Sequence, residues 1–195
     1  GVFIDQEKQG GGPLIDIGTH ALDLTLFMMD NYEPAYCVGK TFHKLNKQRE
    51  TGNAWGDWDT EKFTAEDSAF GFVVMKNGAV IYLKSSWALN IADPAEAVTT
   101  ICGDKAGADM LDGLRVNTVM AGKQVMIKPD LNSGSVAFFE GAGASAPEDL
   151  ESATFTNAIR GKGKLYVTAD QAAVVTRILE GIYESERTGK PYYFD

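Results

Sequence analysis

Leu14, Ile17, Ala21, Leu24 and Met28 recur at three- and four-residue steps, and Leu22, Leu26 and Met29 widen the stripe. A helix of 3.6 residues per turn gathers such positions on one face. The spacing predicts a helix that starts near Asp16, a residue type suited to an N-cap, and ends near Asp30-Asn31, with Pro34 beyond. Gly10, Gly11, Gly12 and Pro13 form a hinge-like break in front of it. Strand patterns follow. Residues 35–45 are β-prone. Runs 68–75 and 80–87 meet at Asn77-Gly78, a strong hairpin signal because both residues tolerate positive φ. Residues 97–102 read as another strand, and 114–120 with 124–128 as a second hairpin around Gly122. Residues 132–145, rich in Gly, Ala and Ser, read as a loop or lid. Pro147-Glu148-Asp149 resembles the first turn of a helix leading to Phe155, Ile159 and Gly161. In the last helix Thr168 and Gln171 form a T-x-x-Q capping box. Ala172, Val175, Ile178, Leu179 and Ile182 supply its apolar face, and Gly189 with Pro191 stops it.

The order is helix, strands, then helices. It predicts an α+β fold in which an antiparallel-rich sheet carries helices on one face, as a single domain over residues 1–195. Apolar residues at 44% and charged residues at 23% are ordinary for a globular chain. A net charge of −9 without a basic cluster argues against a nucleic-acid partner, since phosphate binding relies on concentrated Lys and Arg. The apolar runs fall well short of the roughly 18 residues of a membrane span, so no membrane partner is expected. Cys37 and Cys102 are too few for a disulfide framework and match no zinc spacing. Both lie in apolar, strand-like stretches, where a buried free thiol is expected. No signal peptide is visible, although the chain opens on Gly1 rather than Met; a cytoplasmic location is the expectation.

Several catalytic signatures are missing from the sequence. No G-x-G-x-x-G follows a strand, and Gly10-Gly11-Gly12 lacks that spacing. No Walker A sequence, G-x-S-x-G elbow or H-E-x-x-H occurs.

What remains is a line of polar residues on the first helix. His20 lies four residues after Asp16, which places the two on one face, and Asp23 and Phe27 continue the stripe. Asp16 can accept a hydrogen bond from one imidazole nitrogen and leave the other free, which fixes the tautomer and supports the protonated ring. A base oriented in this way suits removal of a proton from an alcohol. Two other readings fit the same spacing. His20 can be a structural hydrogen-bonder with Asp16 a simple cap, or the pair can ligate a metal; two groups are one or two ligands short, so no metal site is expected. His43, near Lys44 and Lys47, reads as a solvated residue.

The segment Gly10-Gly-Gly-Pro-Leu-Ile-Asp16-Ile-Gly18-Thr-His20-Ala-Leu-Asp23-Leu resembles the Gfo/Idh/MocA oxidoreductases, a group that includes glucose–fructose oxidoreductase and inositol dehydrogenase. Glu66-Asp67, the Asn77-Gly78 hairpin, Ser85-Ser86-Trp87, residues 155–159 and the helix at 168–189 extend the resemblance through nearly the whole chain. It implies an N-terminal Rossmann domain that binds NAD or NADP, and a C-terminal α/β domain with a large, open, mostly antiparallel sheet for substrate binding and oligomerisation. This chain corresponds to the second domain only. The resemblance further implies catalysis by His20, which accepts the substrate hydroxyl proton while hydride passes to the nicotinamide, with Asp16 orienting it. A lysine in an E-K-P motif of the first domain completes the family's set and has no counterpart here. The isolated chain is therefore expected to be inactive, and a homo-oligomer is expected through the exposed face of the sheet.

On the substrate side, a sugar, polyol or cyclitol is expected. Asp23, one turn beyond His20, can bond a substrate hydroxyl or serve as a surface carboxylate. Trp87, at a strand end, can line the pocket or pack in the core. The loop at 53–64 carries Trp55, Trp58 and Phe63 among Asp57, Asp59 and Glu61, a mixture that suits sugar stacking or a subunit contact. No Arg cluster marks a phosphosugar site. The alternative to an enzyme is a non-catalytic sugar-binding or dimerisation module of the same fold.

Overall fold

A computed structural model of the chain describes residues 1–50, 56–92, 98–129 and 147–195. They form an α+β structure with two compact units, residues 1–99 with 170–195, and residues 100–169. The antiparallel sheet expected from the strand runs is present as two four-stranded sheets, one in each unit.

The first unit opens with a 3-10 turn at Val2–Ile4 and a short helix α1, Gln6–Gln9. Next come α2 (Pro13–Met29) and three strands: β1 (Pro34–Phe42), β2 (Ser68–Met75) and β3 (Val80–Ser86). A long helix α4 (Ala169–Thr188) and a two-residue strand β8 (Tyr192–Tyr193) close the chain. Strand order is β3-β2-β1-β8, antiparallel at each step. The short β8, too brief to leave a periodic signal, adds Tyr192 and Tyr193 to the edge of β1.

Side chains along β3 alternate between exposed and buried, so Ile81, Leu83 and Ser85 face inward while Val80, Tyr82 and Lys84 face out. Inward positions pack with Leu14, Leu22 and Leu26 of α2 and with Val175, Ile178, Leu179 and Ile182 of α4 in one core. Close approach of α4 to the sheet depends on small residues. A Cβ at Gly39 or Gly71 would lie 2.4 or 2.6 Å from Ile182 side-chain atoms, and one at Gly181 would lie 2.9 Å from Cys37 Sγ. The opposite face is aromatic. Phe72 meets Tyr82 at 5.1 Å between ring centroids, Tyr36 meets Tyr193 at 5.6 Å, and Tyr82 and Tyr193 are 76% and 69% exposed.

The two hairpins use different turns. At Asn77-Gly78 only Gly78 has positive φ, 88°, and its N–H donates to the Met75 carbonyl at 2.9 Å. That is a type I turn ending in a left-handed glycine, not the two-residue turn with two positive φ angles. The two-residue form occurs in the second unit, where Ala121 (φ 50°) and Gly122 (φ 71°) join Met120 to Lys123.

The second unit holds β4 (Thr100–Cys102), β5 (Ala106–Asp109), β6 (Arg115–Met120) and β7 (Lys123–Ile127), paired in sequence order, and α3 (Pro147–Ile159). Strand β5, Ala-Gly-Ala-Asp, lacks β-branched and aromatic residues; its pairing with both β4 and β6 supplies what its composition does not. Asp109 anchors it. Its carboxylate accepts from Arg115 at 2.7 Å and from Asn117 at 3.2 Å, and the Arg115 contact holds it below the usual carboxylate range. The expected loop at 132–145 lies outside the described residues.

Both cysteines are free, but only Cys37 is buried. Cys102, expected in the interior, is exposed at the end of β4, a strand of only three residues. Burial pushes the Cys37 thiol up to about 12, well above the usual range. The buried neutral thiol thus favours the fold below its ordinary titration range, and this contribution is lost as pH rises toward 12. At pH ~8 a thiol reagent should label Cys102 at once and Cys37 only after denaturant is added. Rapid labelling of both in the folded chain would contradict the packing around Cys37.

Candidate active site

Helix α2 begins at Pro13, three residues earlier than its sequence suggests, with Gly12 at the N-cap. Glycine brings no capping side chain, and the first N–H groups of a helix need acceptors. Glu66, on the residue pair that leads into β2, supplies them. Its Oε2 accepts from the Gly12 N–H at 2.8 Å and its Oε1 from the Leu14 N–H at 3.2 Å. The Tyr183 hydroxyl of α4 donates to the same Oε1 at 2.8 Å. Glu66 is 1% exposed, and its charge lies where the helix dipole favours an anion. Asp16 is therefore not the cap; it sits in the first turn, and its side chain is free for other work.

The glycine run makes this closeness possible. A Cβ at Gly12 would fall 2.1 Å from the Glu66 carbonyl oxygen, and one at Gly11 would fall 2.2 Å from the Tyr183 hydroxyl. Behind the first turn, Ser85 Oγ donates to the Pro13 carbonyl, and Gly18 lets α2 lie against the Ser85 side chain.

Asp67 fastens the loops around the helix. Its Oδ2 accepts from the N–H groups of Leu45 and Asn46 at 2.7 and 3.0 Å, and its Oδ1 from Ser68 Oγ at 2.9 Å. The Asp67 carbonyl accepts from the Trp87 N–H at 3.2 Å and from Ser86 Oγ at 3.0 Å. Lys47 Nζ donates to the carbonyls of Thr60 and Phe63 at 2.7 and 2.8 Å.

On this frame the predicted site residues take their places. Asp16 is half-buried, and its Oδ2 accepts from Trp87 Nε1 at 2.8 Å. Trp87 is also half-buried and packs on the fully buried Phe63, with ring centroids 5.8 Å apart; Phe63 meets Trp58 at 5.2 Å. His20 is exposed one turn beyond Asp16 on the same helix. Its ring forms no hydrogen bond among the described residues, so the Asp16–His20 bond read from their spacing is not made in this structure; the Asp16 oxygen that is engaged holds an indole instead. Asp23 is half-buried and near Tyr32, whose hydroxyl is pushed above the usual range by burial and then by Asp23 and Asp30. His43 is exposed, as expected of a solvated residue.

The aromatic loop divides. Trp55 lies outside the described residues. Phe63 is an interior anchor and cannot stack on a sugar. Trp58 remains half-buried beside a cavity of about 240 Å³ that Arg49, Asp57, Asp59, Thr60 and Glu61 also line.

Sequence reasoning missed the structural roles of Glu66, Asp67 and Tyr183. Two adjacent carboxylates directly before an apolar strand were the available signal, since buried acids need donors.

A family model described as the C-terminal alpha/beta domain of an oxidoreductase family matches residues 4–194. D-glucoside 3-dehydrogenase of Escherichia coli (strain K12) is 32% identical over 190 residues, which span 97% of this chain and 50% of that protein. The chain thus spans about half the length of this relative. Among solved structures, an oxidoreductase domain protein from Kribbella flavida aligns over 98% of this chain and 54% of its own, with a TM-score of 0.73 at 19% identity. Aldose-aldose oxidoreductase from Caulobacter crescentus, complexed with glycerol, aligns over 100% and 51%, with a TM-score of 0.70 at 16% identity. At these identities the two structures attest the fold. Together with the near-complete family match they lead to one assignment: the chain belongs to the Gfo/Idh/MocA oxidoreductases, as the C-terminal α/β domain of that family.

Proposed function

We propose that this chain is the substrate-binding and catalytic half of an NAD(P)-dependent oxidoreductase that oxidises a hydroxyl of a sugar, polyol or cyclitol. The observation that carries the reading is the outward face of α2. There an exposed imidazole, His20, stands one turn from a half-buried carboxylate, Asp16, on a helix whose start is fastened by Glu66. Support for a sugar comes from the glucoside dehydrogenase relative.

In this reading the neutral His20 ring takes the hydroxyl proton as the C–O bond gains its second bond, and Asp16 stabilises the imidazolium that results. Asp23, one turn further along, binds a neighbouring hydroxyl, and the Trp87 ring forms part of the pocket wall. The nicotinamide, when bound, supplies the acceptor for the hydride that leaves the same carbon. The described residues offer no cradle for its phosphates. Space beside Gly11 and Gly12 is filled by Tyr183 and Glu66, and a buried carboxylate there would repel a pyrophosphate. Dinucleotide binding accordingly falls to an N-terminal Rossmann domain, and this chain alone is inactive. The aromatic outer face of the first sheet, with Tyr82 and Tyr193 exposed, supports a homo-oligomer formed through it, and the two free thiols suit the cytoplasm.

The test is an assay of the chain joined to its nucleotide-binding half, with NAD+ or NADP+ and a panel of glucosides, aldoses, polyols and cyclitols, read at 340 nm. Reduction of cofactor that depends on one of these substrates is the expected result, with none from this chain by itself. Specific sugar binding by this chain, combined with no turnover by the joined protein, would favour a non-catalytic binding module.

A further inference from the structure

The proposed chemistry assigns Asp16 to stabilising the His20 imidazolium, yet a half-buried carboxylate on a helix turn can rotate among several rotamers. One contact removes that freedom. Trp87 Nε1 donates to Asp16 Oδ2 at 2.8 Å across 71 residues of sequence. A hydrogen bond to an ionised acceptor is stronger than a neutral one, and an indole has only this donor to give.

Trp87 is itself held on several sides. Its backbone N–H is on the Asp67 carbonyl, and the preceding Ser86 hydroxyl has its one hydrogen within reach of the Asp67 and Ala88 carbonyls, at 3.0 and 2.9 Å. Its ring lies on Phe63, whose carbonyl is clamped by Lys47. The indole is thus a fixed point, and with Oδ2 engaged on it, Asp16 has Oδ1 left to offer.

Resting on the reading of Asp16 and His20 given above, we infer that Trp87 is a positioning residue: its indole N–H locks the Asp16 carboxylate and leaves Oδ1 alone to serve the His20 ring when that ring takes up a proton. It acts through Asp16 and not through the substrate. The polar end of Trp87 is spent on the protein, so any substrate contact is left to the ring's apolar surface.

Trp87→Phe keeps an aromatic ring on Phe63 and deletes only the donor and the second ring. In the enzyme that carries both halves, kcat should fall by about tenfold to a hundredfold, as expected when a catalytic group is misplaced, with KM little changed. The decisive comparison is a double-mutant cycle. In an Asp16→Ala background, Trp87→Phe should have no further effect on kcat, because the group it acts through is gone. A second readout needs no turnover. In the 15N-labelled chain, the indole N–H resonance of Trp87 should move upfield in Asp16→Ala, as a donor released from a carboxylate does.

Equal losses in the two backgrounds, a change confined to KM, or an indole resonance indifferent to Asp16 would each overturn the positioning role. Full turnover by Asp16→Ala would instead remove the underlying assignment of the Asp16–His20 pair, and the inference with it. The two failures are therefore distinguishable.

Discussion

Replacement of His20 by Ala should lower kcat/KM of the proposed two-domain enzyme by about 10²- to 10⁴-fold, the range a positioned acid–base group contributes. The unfolding midpoint of the same variant should stay within about 0.5 kcal/mol of the parent, the usual span for surface substitutions. This pairing of effects follows from where the side chain stands. His20 is exposed, and its ring bonds to no other described residue, so folding gains little from it. An imidazole kept on the polar face of a well-anchored helix, without a structural partner, is available for chemistry. His20→Gln gives the sharper control, since it preserves polarity and approximate length but cannot accept a proton near neutral pH. Steady-state kinetics and urea unfolding on the same preparations decide the matter. Turnover near the parent's would take the base out of the mechanism, and a large stability loss would return His20 to a structural role.

Much of the fold was legible because its elements have strong local signatures. Leu14, Leu22 and Leu26 reach the core as the helical period requires, and β2 and β3 occupy the apolar runs on either side of Asn77-Gly78. The start of α2 was misplaced because its capping group is Glu66, 54 residues away, while a nearby Asp16 offered a sufficient local explanation. Here a tertiary contact overrode a local preference. The fate of Asp16 was hidden for the same reason: helical spacing puts His20 within reach, but it says nothing of an indole arriving from the end of β3. Phe63 shows the converse error. Its place among acidic residues suggested a ligand surface, whereas the Lys47 clamp and Trp58–Phe63–Trp87 packing draw it inside. Candidate chemistry could be read from spacing along one helix; the partners that hold it in place could not.

Glu66→Ala should be strongly destabilising, costing about 3–5 kcal/mol, because it strips several buried donors of their acceptor at once. Three donors converge on this carboxylate: the N–H groups of Gly12 and Leu14 and the Tyr183 hydroxyl. Each buried donor left without an acceptor costs about 1–3 kcal/mol, although water entering the space vacated by the side chain offsets part of the sum. Against a typical total of about 5–15 kcal/mol, such a loss puts the fold near its limit. Glu66→Gln is milder but still unfavourable, since its amide NH2 must face at least one of those donors. Burial and the adjacent carboxylate hold the Tyr183 hydroxyl well above the usual tyrosine range, so it remains a donor at every working pH. Its contribution is present below the ordinary tyrosine range and fades only as pH climbs beyond it. Urea titration of Glu66→Ala should show a lower midpoint with an unchanged slope, the mark of lost stability without a change in the surface exposed. A midpoint equal to the parent's would mean that the start of α2 is held by something other than Glu66, and the anchored helix on which the catalytic reading stands would need another support.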